Sequence, residues 1–485
     1  MYYANQQANA AGGECLYYVE RRHNDQLTLN LGSTLNIEYN RYNKGTTGVQ
    51  IGTTKGMHYK TMDDLMGAEK YTDIDKFSVG DFGMNSSYVQ NDVDNPNRQI
   101  GEGDVFGYNY DLYVNKATLF YQHQFHKGIF HLFAGAHAEG TTMERYGHMR
   151  NGRAQQLSKG SSGVATFFGG GAKLGMVFTF NAYNTLEIGG GFENRAPLAY
   201  NSFIAPRMRN DFVTGLTNED IFNAEISYKL NAGPVSAKIS GYGTMINNGV
   251  EQSAFYNDQE SQFTYLTMTG VNKMHYGVEA ALVYNITSSL SINAIASVGD
   301  AQYSSDTNGL LISENEAVWK NDNVYMKGVK LDGTPLTAAS LGIEYNINGW
   351  YLEANVNYYD RIYIDASKYA RLANVVGKPV FDKDTGEEIL KIPEQYKFKP
   401  TKFINHFIVD ASIGKSISLR HGKKLNLNLQ LSNLLNNTNM ITGGYEQNRD
   451  DSYADGSERT YKFSKNPYLY YANAFNFYLN VGFRF

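Results

Sequence analysis

Apolar and polar residues alternate along many segments of the chain, and the alternation is clearest near the C-terminus. From Tyr471 to Phe485 most odd-numbered positions are apolar or aromatic, whereas the even-numbered positions are mainly small or polar. Between Leu425 and Leu431, leucine alternates with asparagine and glutamine. A period of two residues is typical of β-strands whose two faces differ. The sequence therefore predicts strands with one apolar face and one polar face.

The same alternation predicts about fifteen strands along the whole chain. They cover residues 27–38, 48–58, 108–125, 129–145, 163–181, 185–196, 219–230, 235–247, 267–286, 290–303, 337–347, 350–361, 403–419, 424–434 and 469–485. Several are longer than the roughly 5–6 residues of ordinary globular strands. Such lengths suit a tilted crossing of a lipid bilayer.

The predicted connections fall into two sizes that alternate along the chain. Short turns are expected near residues 126–128, 231–234, 287–289, 348–349 and 421–423, and long polar loops at 60–107, 146–162, 197–218, 304–336, 362–402 and 435–468. Loops of this length are uncommon in compact soluble domains. Short periplasmic turns alternating with long extracellular loops are typical of outer-membrane proteins. The predicted fold class is all-β, a transmembrane antiparallel β-barrel.

The composition agrees with a membrane barrel. The chain has 38 Tyr, 26 Phe and 48 Gly but only 9 Pro, and its mean hydropathy is -0.44. A polar lumen combined with aromatic girdles at the membrane interfaces explains why a chain rich in aromatic residues has a low mean hydropathy. No apolar run is long enough for a transmembrane helix. Cys15 is the single cysteine, which excludes an internal disulfide and a multi-thiolate metal site.

The strand count suggests that residues 1–485 are one barrel domain that is incomplete on its N-terminal side. Single-chain bacterial barrels have even strand numbers, whereas about fifteen are predicted here. If the whole barrel has about 22 strands, the size of plugged transporter barrels, about seven are absent, and the first and last strands present would leave unpaired edges. The segment Met1–Gln7 also lacks the features of a signal peptide.

Catalytic signatures are not found in the sequence. There is no nucleophile elbow, His-Glu-x-x-His segment, phosphate-binding loop or paired-cysteine motif. The triplet Gly169–Gly171 is not followed by a predicted helix, so it is interpreted as small residues where strands bend or crowd. We therefore expect no enzymatic activity, no cofactor and no metal site.

Several segments, in order over nearly the whole chain, resemble the C-terminal barrel of TonB-dependent receptors of the type abundant in Bacteroidota. They are Lys60–Ala68, Asp73–Phe77, Gly103–Tyr110, His148–Arg153, Asn194–Pro197, Gly277–Glu279, Ser432–Asn437 and the terminal Phe485. Nothing in the sequence resembles the plug domain or TonB box that precede the barrel in this family.

The resemblance implies energised import of a scarce nutrient across the outer membrane, with siderophore, haem, cobalamin, glycan and peptide all open. The implied partners are the TonB–ExbB–ExbD system acting through a plug domain outside this chain, outer-membrane lipid and lipopolysaccharide, a small nutrient ligand and, optionally, a surface lipoprotein. Nucleic acid is not expected, because the net charge is -5. The alternatives are a passive porin-like channel and a non-transporting surface-binding barrel, with a barrel enzyme the least favoured.

Histidines on one strand suggest a possible contact with haem or a metal chelate. His131 and His137 are in register with the polar face of the predicted strand 129–145, so both are expected to face the lumen. His148 lies in the loop just beyond. Imidazole can ligate iron, but hydrogen bonding to a plug or to water is the favoured interpretation of these side chains.

Arginines and tyrosines near the predicted loops supply the other candidates. Arg195, Arg207 and Arg209 could bind an anionic ligand, or could pair with lipopolysaccharide phosphate. Tyrosines around the last long loop could stack on a ligand, although girdle positions are expected for most of them. The candidate ligand-binding residues are thus His148, Arg150, Arg195, Arg207, Arg209 and Tyr445.

The segment Asp382–Glu388 partly resembles a calcium-binding loop, but it lacks the distal glutamate of such loops. Because Asp-Thr-Gly stands between two short apolar pairs, the turn of a small extracellular hairpin is the preferred interpretation.

Overall fold

The fold is dominated by an antiparallel sheet of 18 strands. The structure is a computed structural model, and it describes residues 1–257, 262–314, 319–376, 378–381, 388–391, 401–448 and 466–485. Within these residues, fifteen long strands pair one after another as a meander. The short β5, β12 and β13 complete the sheet, and two separate hairpins lie outside it.

The strands are β1 (Val19–Asn40), β2 (Asn43–Asp64), β3 (Val105–Lys127), β4 (Phe130–Gly147), β5 (Gly160–Ser161), β6 (Ala165–Thr179), β7 (Asn184–Arg195), β8 (Glu219–Ala232), β9 (Val235–Asn257), β10 (Gln262–Asn285), β11 (Leu290–Tyr303), β12 (Thr307–Ser313), β13 (Trp319–Val324), β14 (Thr337–Ile347), β15 (Trp350–Asp360), β16 (Lys378–Phe381), β17 (Glu388–Lys391), β18 (His406–Ser418), β19 (Lys424–Ser432), β20 (Ile441–Tyr445), β21 (Tyr468–Tyr471) and β22 (Asn476–Arg484). The α-helices are α1 (Tyr2–Ala10), α2 (Val79–Phe82) and α3 (Ala373–Val376). Short 3-10 helices occupy Ser87–Val89, Gly152–Ala154, Ala199–Asn201, Tyr369–Arg371 and Arg420–Gly422. Among the described residues, no helix is long and apolar enough to cross a membrane.

Each of the fifteen predicted strands corresponds to one long strand of the meander, so the strand prediction is confirmed. The ends differ by up to about ten residues, most at β1, β2, β9 and β22. Over the described part of the chain, β1 pairs only with β2 and β22 only with β19. Both outer edges of the sheet are therefore unpaired, as the odd strand count led us to expect.

The sheet has two chemically different faces. Residues opposite each other in an antiparallel ladder project to the same side, so the pair Leu341 and Val356 belongs to one face and the pair Ser340 and Asn357 to the other. Leucine, valine and aromatic side chains occupy the first face in every long strand, and many of them are exposed. We call this apolar side the outer face and the polar side the inner face.

The short connections lie at one end of the sheet and the long ones at the other. Asn348 and Gly349, which join β14 to β15, both have positive φ angles of 49° and 77°. Positive φ at both central residues is what the tight hairpin turn of a twisted antiparallel pair requires, and Asn-Gly tolerates it best. The predicted short turn at this position is confirmed.

One part of the sheet extends well beyond the predicted strands. The β9–β10 ladder continues to the pair Asn257 and Gln262, although 248–266 was not predicted as strand. β12 pairs with the extended part of β10, and β13 pairs with β12. Separately, β16 and β17 form the predicted small hairpin, whereas its turn at 382–387 lies outside the described residues.

Candidate functional site

Long loops fold over the inner face at the end opposite the short turns. Phe203, in the loop between β7 and β8, is fully buried against Tyr110 and Leu112 of β3. Arg145, on the inner face of β4, donates to the carbonyl oxygens of Pro206 at 2.7 Å and Ser158 at 3.0 Å. We call the loop segments 65–104, 148–159 and 196–218 the loop cap.

A buried ion cluster holds parts of the loop cap together. Arg153 forms ion pairs with Asp75 and with Glu314, the latter at 3.1 Å, and its Nη1 also donates to Ser78 Oγ at 3.3 Å. The Tyr265 hydroxyl of β10 donates to the second Glu314 oxygen at 3.0 Å. Burial raises the pKa of the Glu314 carboxyl, and the charge of Arg153 opposes that rise. The cluster therefore ties two cap loops to the extended part of β10.

His148 is the first residue of the cap segment 148–159, but unlike the rest of the cap it lies on the outer side of the strand ends. Its Nε2 is 2.9 Å from Asp111 Oδ2, and Lys55 Nζ is also 2.9 Å from that oxygen. Asp111 is opposite Tyr146 in the ladder between β3 and β4, and these two residues belong to the outer face. The structure thus places His148 away from the inner face, and its role in ligand binding stays a prediction.

Three of the four predicted arginines are held by carboxylates. Arg150 pairs with Asp94 at 2.9 Å, Arg195 with Glu219 at 2.7 Å, and Arg209 with Asp211. Arg209 is also buried, with its guanidinium 4.9 Å from the ring centroid of Trp319. The three guanidinium groups lie in separate places, so the structure does not bring the predicted arginines into one site.

Arg207 differs from the other predicted arginines. Its side chain is exposed, its guanidinium lies 5.2 Å from the ring centroid of Tyr108, and it has no ion-pair partner within the described residues. Nearby, Arg145 lies 4.6 Å from the ring of Tyr110, on which His58 is stacked at 4.9 Å. We call these five residues the cation–aromatic cluster. A guanidinium with free donors beside aromatic faces can bind an anionic, partly planar ligand.

Tyr445 belongs to a second exposed surface. It lies opposite Tyr468 in the hairpin of β20 and β21, with their rings stacked at 5.3 Å and 16°. Tyr470 joins them on the same face, 5.6 Å from Tyr468. All three side chains are exposed, whereas the opposite face of this hairpin packs on a cluster of buried residues that includes Met440. Tyr453 and Tyr461, two other tyrosines of the predicted long loop 435–468, fall outside the described residues.

His137 faces the inner side of the sheet, as its register predicted. Its Nε2 is 3.2 Å from Glu193 Oε1 and 3.9 Å from Glu139 Oε2. The sequence did not indicate this grouping, because Glu193 lies on β7, two strands away from β4. Only the cross-strand register could have revealed it.

Comparisons with known proteins agree with the fold described above. Residues 3–434 match the model of the family described as TonB dependent receptor-like, beta-barrel. The structure of the copper transporter OprC has a TM-score of 0.59 and 13% identity, over 94% of this chain and 58% of that chain. The unliganded ferric citrate transporter FecA has a TM-score of 0.57 and 11% identity, over 95% and 55%. The ferric yersiniabactin uptake receptor FyuA from Yersinia pestis has a TM-score of 0.52 and 11% identity, over 94% and 54%.

These solved structures support the fold alone, because their identities to this chain are low. This chain spans between 54% and 58% of the length of those three proteins. No curated protein matches the sequence significantly. The family match extends over most of the chain, from α1 to just after β19, and agrees with the two-faced meander. The chain therefore belongs to the TonB-dependent receptor β-barrel family of the outer membrane.

Proposed function

We propose that this chain forms the wall and the extracellular binding surface of a receptor for TonB-energised uptake of a scarce nutrient. The observation that carries the proposal is the loop cap, which folds over the polar inner face and is tied there by the Arg153 cluster. A cap fixed by buried ion pairs suits selective binding of a ligand above a polar channel. An open pore for passive diffusion does not require a cap fixed in this way.

The cation–aromatic cluster is proposed as a first contact for the ligand. Arg207 offers a guanidinium that is exposed and unpaired within the described residues, and Tyr108 offers a ring beside it. Bidentate contact between guanidinium and carboxylate or phosphate is favourable and directional, so a small anionic nutrient fits this cluster best. The exposed tyrosines around Tyr445 would supply stacking contacts farther out.

The proposed partners follow from the family and from the two faces of the sheet. Lipid covers the outer face, and lipopolysaccharide surrounds the strand ends where His148 and Lys55 lie. Energy would come from the TonB–ExbB–ExbD system through a plug domain. A surface lipoprotein could cover the loop cap. The ligand would pass unchanged, with no bond made or broken by this chain.

Uptake measurements in cells test the proposal. A strain with the gene deleted is compared with the same strain carrying the intact gene, using radiolabelled ferric siderophores, haem, cobalamin and oligosaccharides as probes. We expect uptake of one class to be lost on deletion and restored by the gene. No difference for any class would favour a surface-binding barrel without transport.

Conductance separates the receptor from the passive alternative. The receptor purified from outer membranes is inserted into planar lipid bilayers, and the current is recorded in salt solution. A receptor with a capped and plugged channel should show little steady current. Large, stable conductance steps would instead support a porin-like channel and contradict the proposal.

A further inference from the structure

The inner face carries a compact group of metal-ligating side chains, away from the cation–aromatic cluster. His137 and Glu139 project from β4, and Glu193 projects from β7. One ligand atom from each residue lies within 4.8 Å of the other two. Glu139 is buried, whereas His137 and Glu193 are half-buried, so an ion could reach the group from the inner side.

A glycine between the two strands makes the grouping possible. His137 lies opposite Gly171 of β6, and Gly171 lies opposite Glu193 of β7, so the three form one row across the sheet. A Cβ atom on Gly171 would lie 2.6 Å from Glu193 Oε2 and 2.8 Å from His137 Cε1. Only glycine at this position leaves room for the two side chains to meet above it. This gives a specific reason for one member of the triplet Gly169–Gly171.

We propose that His137, Glu139 and Glu193 bind one divalent first-row transition metal ion. An imidazole nitrogen with two carboxylates is a ligand set that suits Zn²⁺ and its neighbours, with water completing the coordination. Ligands about 2.1 Å from an ion lie at most about 4.2 Å apart. The observed spacing therefore needs only small side-chain rotations to close around the metal.

The ammonium group of Lys116 would compete with a metal ion for the Glu139 carboxylate. Its Nζ lies 2.6 Å from Glu139 Oε2, and its side chain is half exposed. A metal ion that takes Glu139 must displace this ammonium group, which the exposed lysine can allow by turning towards the channel. Lys116 should consequently weaken metal binding without preventing it.

The site goes beyond the proposed function, because it does not depend on which nutrient is carried. It lies on the wall of the channel, and His137 and Glu193 are not used by the loop cap. Loss of the metal site would leave the assignment to the receptor family untouched, and failure of the uptake proposal would leave the metal site testable.

Calorimetry with Zn²⁺ tests the proposal on the receptor purified from outer membranes in detergent at pH 7.5. We expect one saturable site in the wild type and at least a tenfold weaker affinity in His137→Ala and in Glu193→Gln. His131→Ala is the matched control, because His131 lies on the same face of β4 and outside the group. Its affinity should equal that of the wild type, whereas Lys116→Gln should bind more tightly.

Co²⁺ absorption spectra give a second measurement that reports the ligands directly. The wild type should develop visible d–d bands that His137→Ala lacks. Heat-modifiable migration on gels confirms that each variant is folded. No saturable Zn²⁺ binding by the folded wild type, or wild-type affinity in His137→Ala and Glu193→Gln, would overturn the proposal.

Discussion

At the scale of single residues, Arg153 joins two loops of the cap through buried ion pairs. Its side chain is 7% exposed and faces two carboxylates that are themselves 11% and 16% exposed. Removing the guanidinium would leave both buried carboxylates without a positively charged partner. Breaking a buried pair in this way costs about 3–5 kcal/mol.

Arg153→Ala should therefore loosen the loop cap while leaving the strands paired. Hydrogen exchange should show faster exchange in 148–159 and in Asp75–Ser78, with unchanged protection in β18 and β19. Arg150→Ala is the control, because the side chains of its ion pair with Asp94 are 38% and 35% exposed, and a pair near the surface is worth about 0–1 kcal/mol. Equal exchange in the two variants would contradict the role given to the Arg153 cluster.

Arg207 is expected to contribute to ligand uptake through its exposed guanidinium. A hydrogen bond to a charged group contributes about 1.5–3 kcal/mol, so Arg207→Ala should reduce uptake of an anionic nutrient at low concentration by roughly tenfold or more. Arg195→Ala should have a small effect, since Glu219 already holds that guanidinium. Equal uptake by the Arg207 variant and the wild type would remove the cation–aromatic cluster as a contact.

Residue type alone identified the candidates but not their partners. The register of β4 correctly predicted that His137 faces inward, because alternation along one strand fixes the face. It did not reveal Glu193 or Asp111, since these partners come from other strands. Arg195, Arg207 and Arg209 look equivalent in the sequence, and only the positions of Glu219 and Asp211 separate them.

At the scale of elements, a charged residue should destabilise the protein more on the outer face of a strand than on its inner face. Leu341 lies near the middle of β14 on the outer face and is 58% exposed, so lipid would cover it. An arginine at the bilayer midplane of a barrel costs about 2–4 kcal/mol. Leu341→Arg should lower the free energy of unfolding in lipid vesicles by that amount.

Ser340→Arg is the matched control for Leu341→Arg. Ser340 is the neighbouring residue and faces the polar inner side opposite Asn357. It should change the free energy of unfolding by less than about 1 kcal/mol, because channel-facing positions tolerate charge. Unfolding in urea, followed by tryptophan fluorescence, measures the free energy of unfolding of both variants. A larger loss in the Ser340 variant would show that the faces are assigned the wrong way round.

The long strands were predictable because lipid on one side and the channel on the other enforce strict alternation. The extension of β9 and β10 beyond residues 247 and 267 could not be predicted from alternation. Asn248 and Gly270 have positive φ angles of 61° and 68°, and the register shifts beside Gly270. Beyond these bulges, Tyr265 and Leu266 are both buried, because loops cover both faces there. Alternation disappears, and the sequence no longer indicates a strand.

Helix α1 was also missed, for a different reason. Its sequence is rich in Asn, Gln and Ala and has no apolar stripe, so periodicity gives no signal. It is held instead by Asn5, which is fully buried and donates to the carbonyl oxygens of Tyr17 and Leu65 at 2.7 Å and 3.0 Å. A single buried amide of this kind cannot be recognised without its distant partners.

At the scale of the whole molecule, the two ends of the sheet differ in the length of their connections. Short turns lie at one end, the loop cap lies at the other, and the apolar outer face joins them. The free edges of β1 and β22 carry backbone groups that need partners in lipid, where each unsatisfied group costs several kcal/mol. In lipid, these backbone groups therefore have to be paired.

The energy dependence of uptake distinguishes TonB-energised transport from passive diffusion. Cells carrying the receptor are given the nutrient identified in the deletion comparison, at a concentration below saturation, with and without a protonophore that collapses the proton gradient. Surface binding at 4 °C serves as the control for intact receptor. We predict that the protonophore abolishes accumulation and leaves surface binding unchanged. Accumulation that continues at the same rate without the gradient would contradict energised uptake and indicate a passive channel.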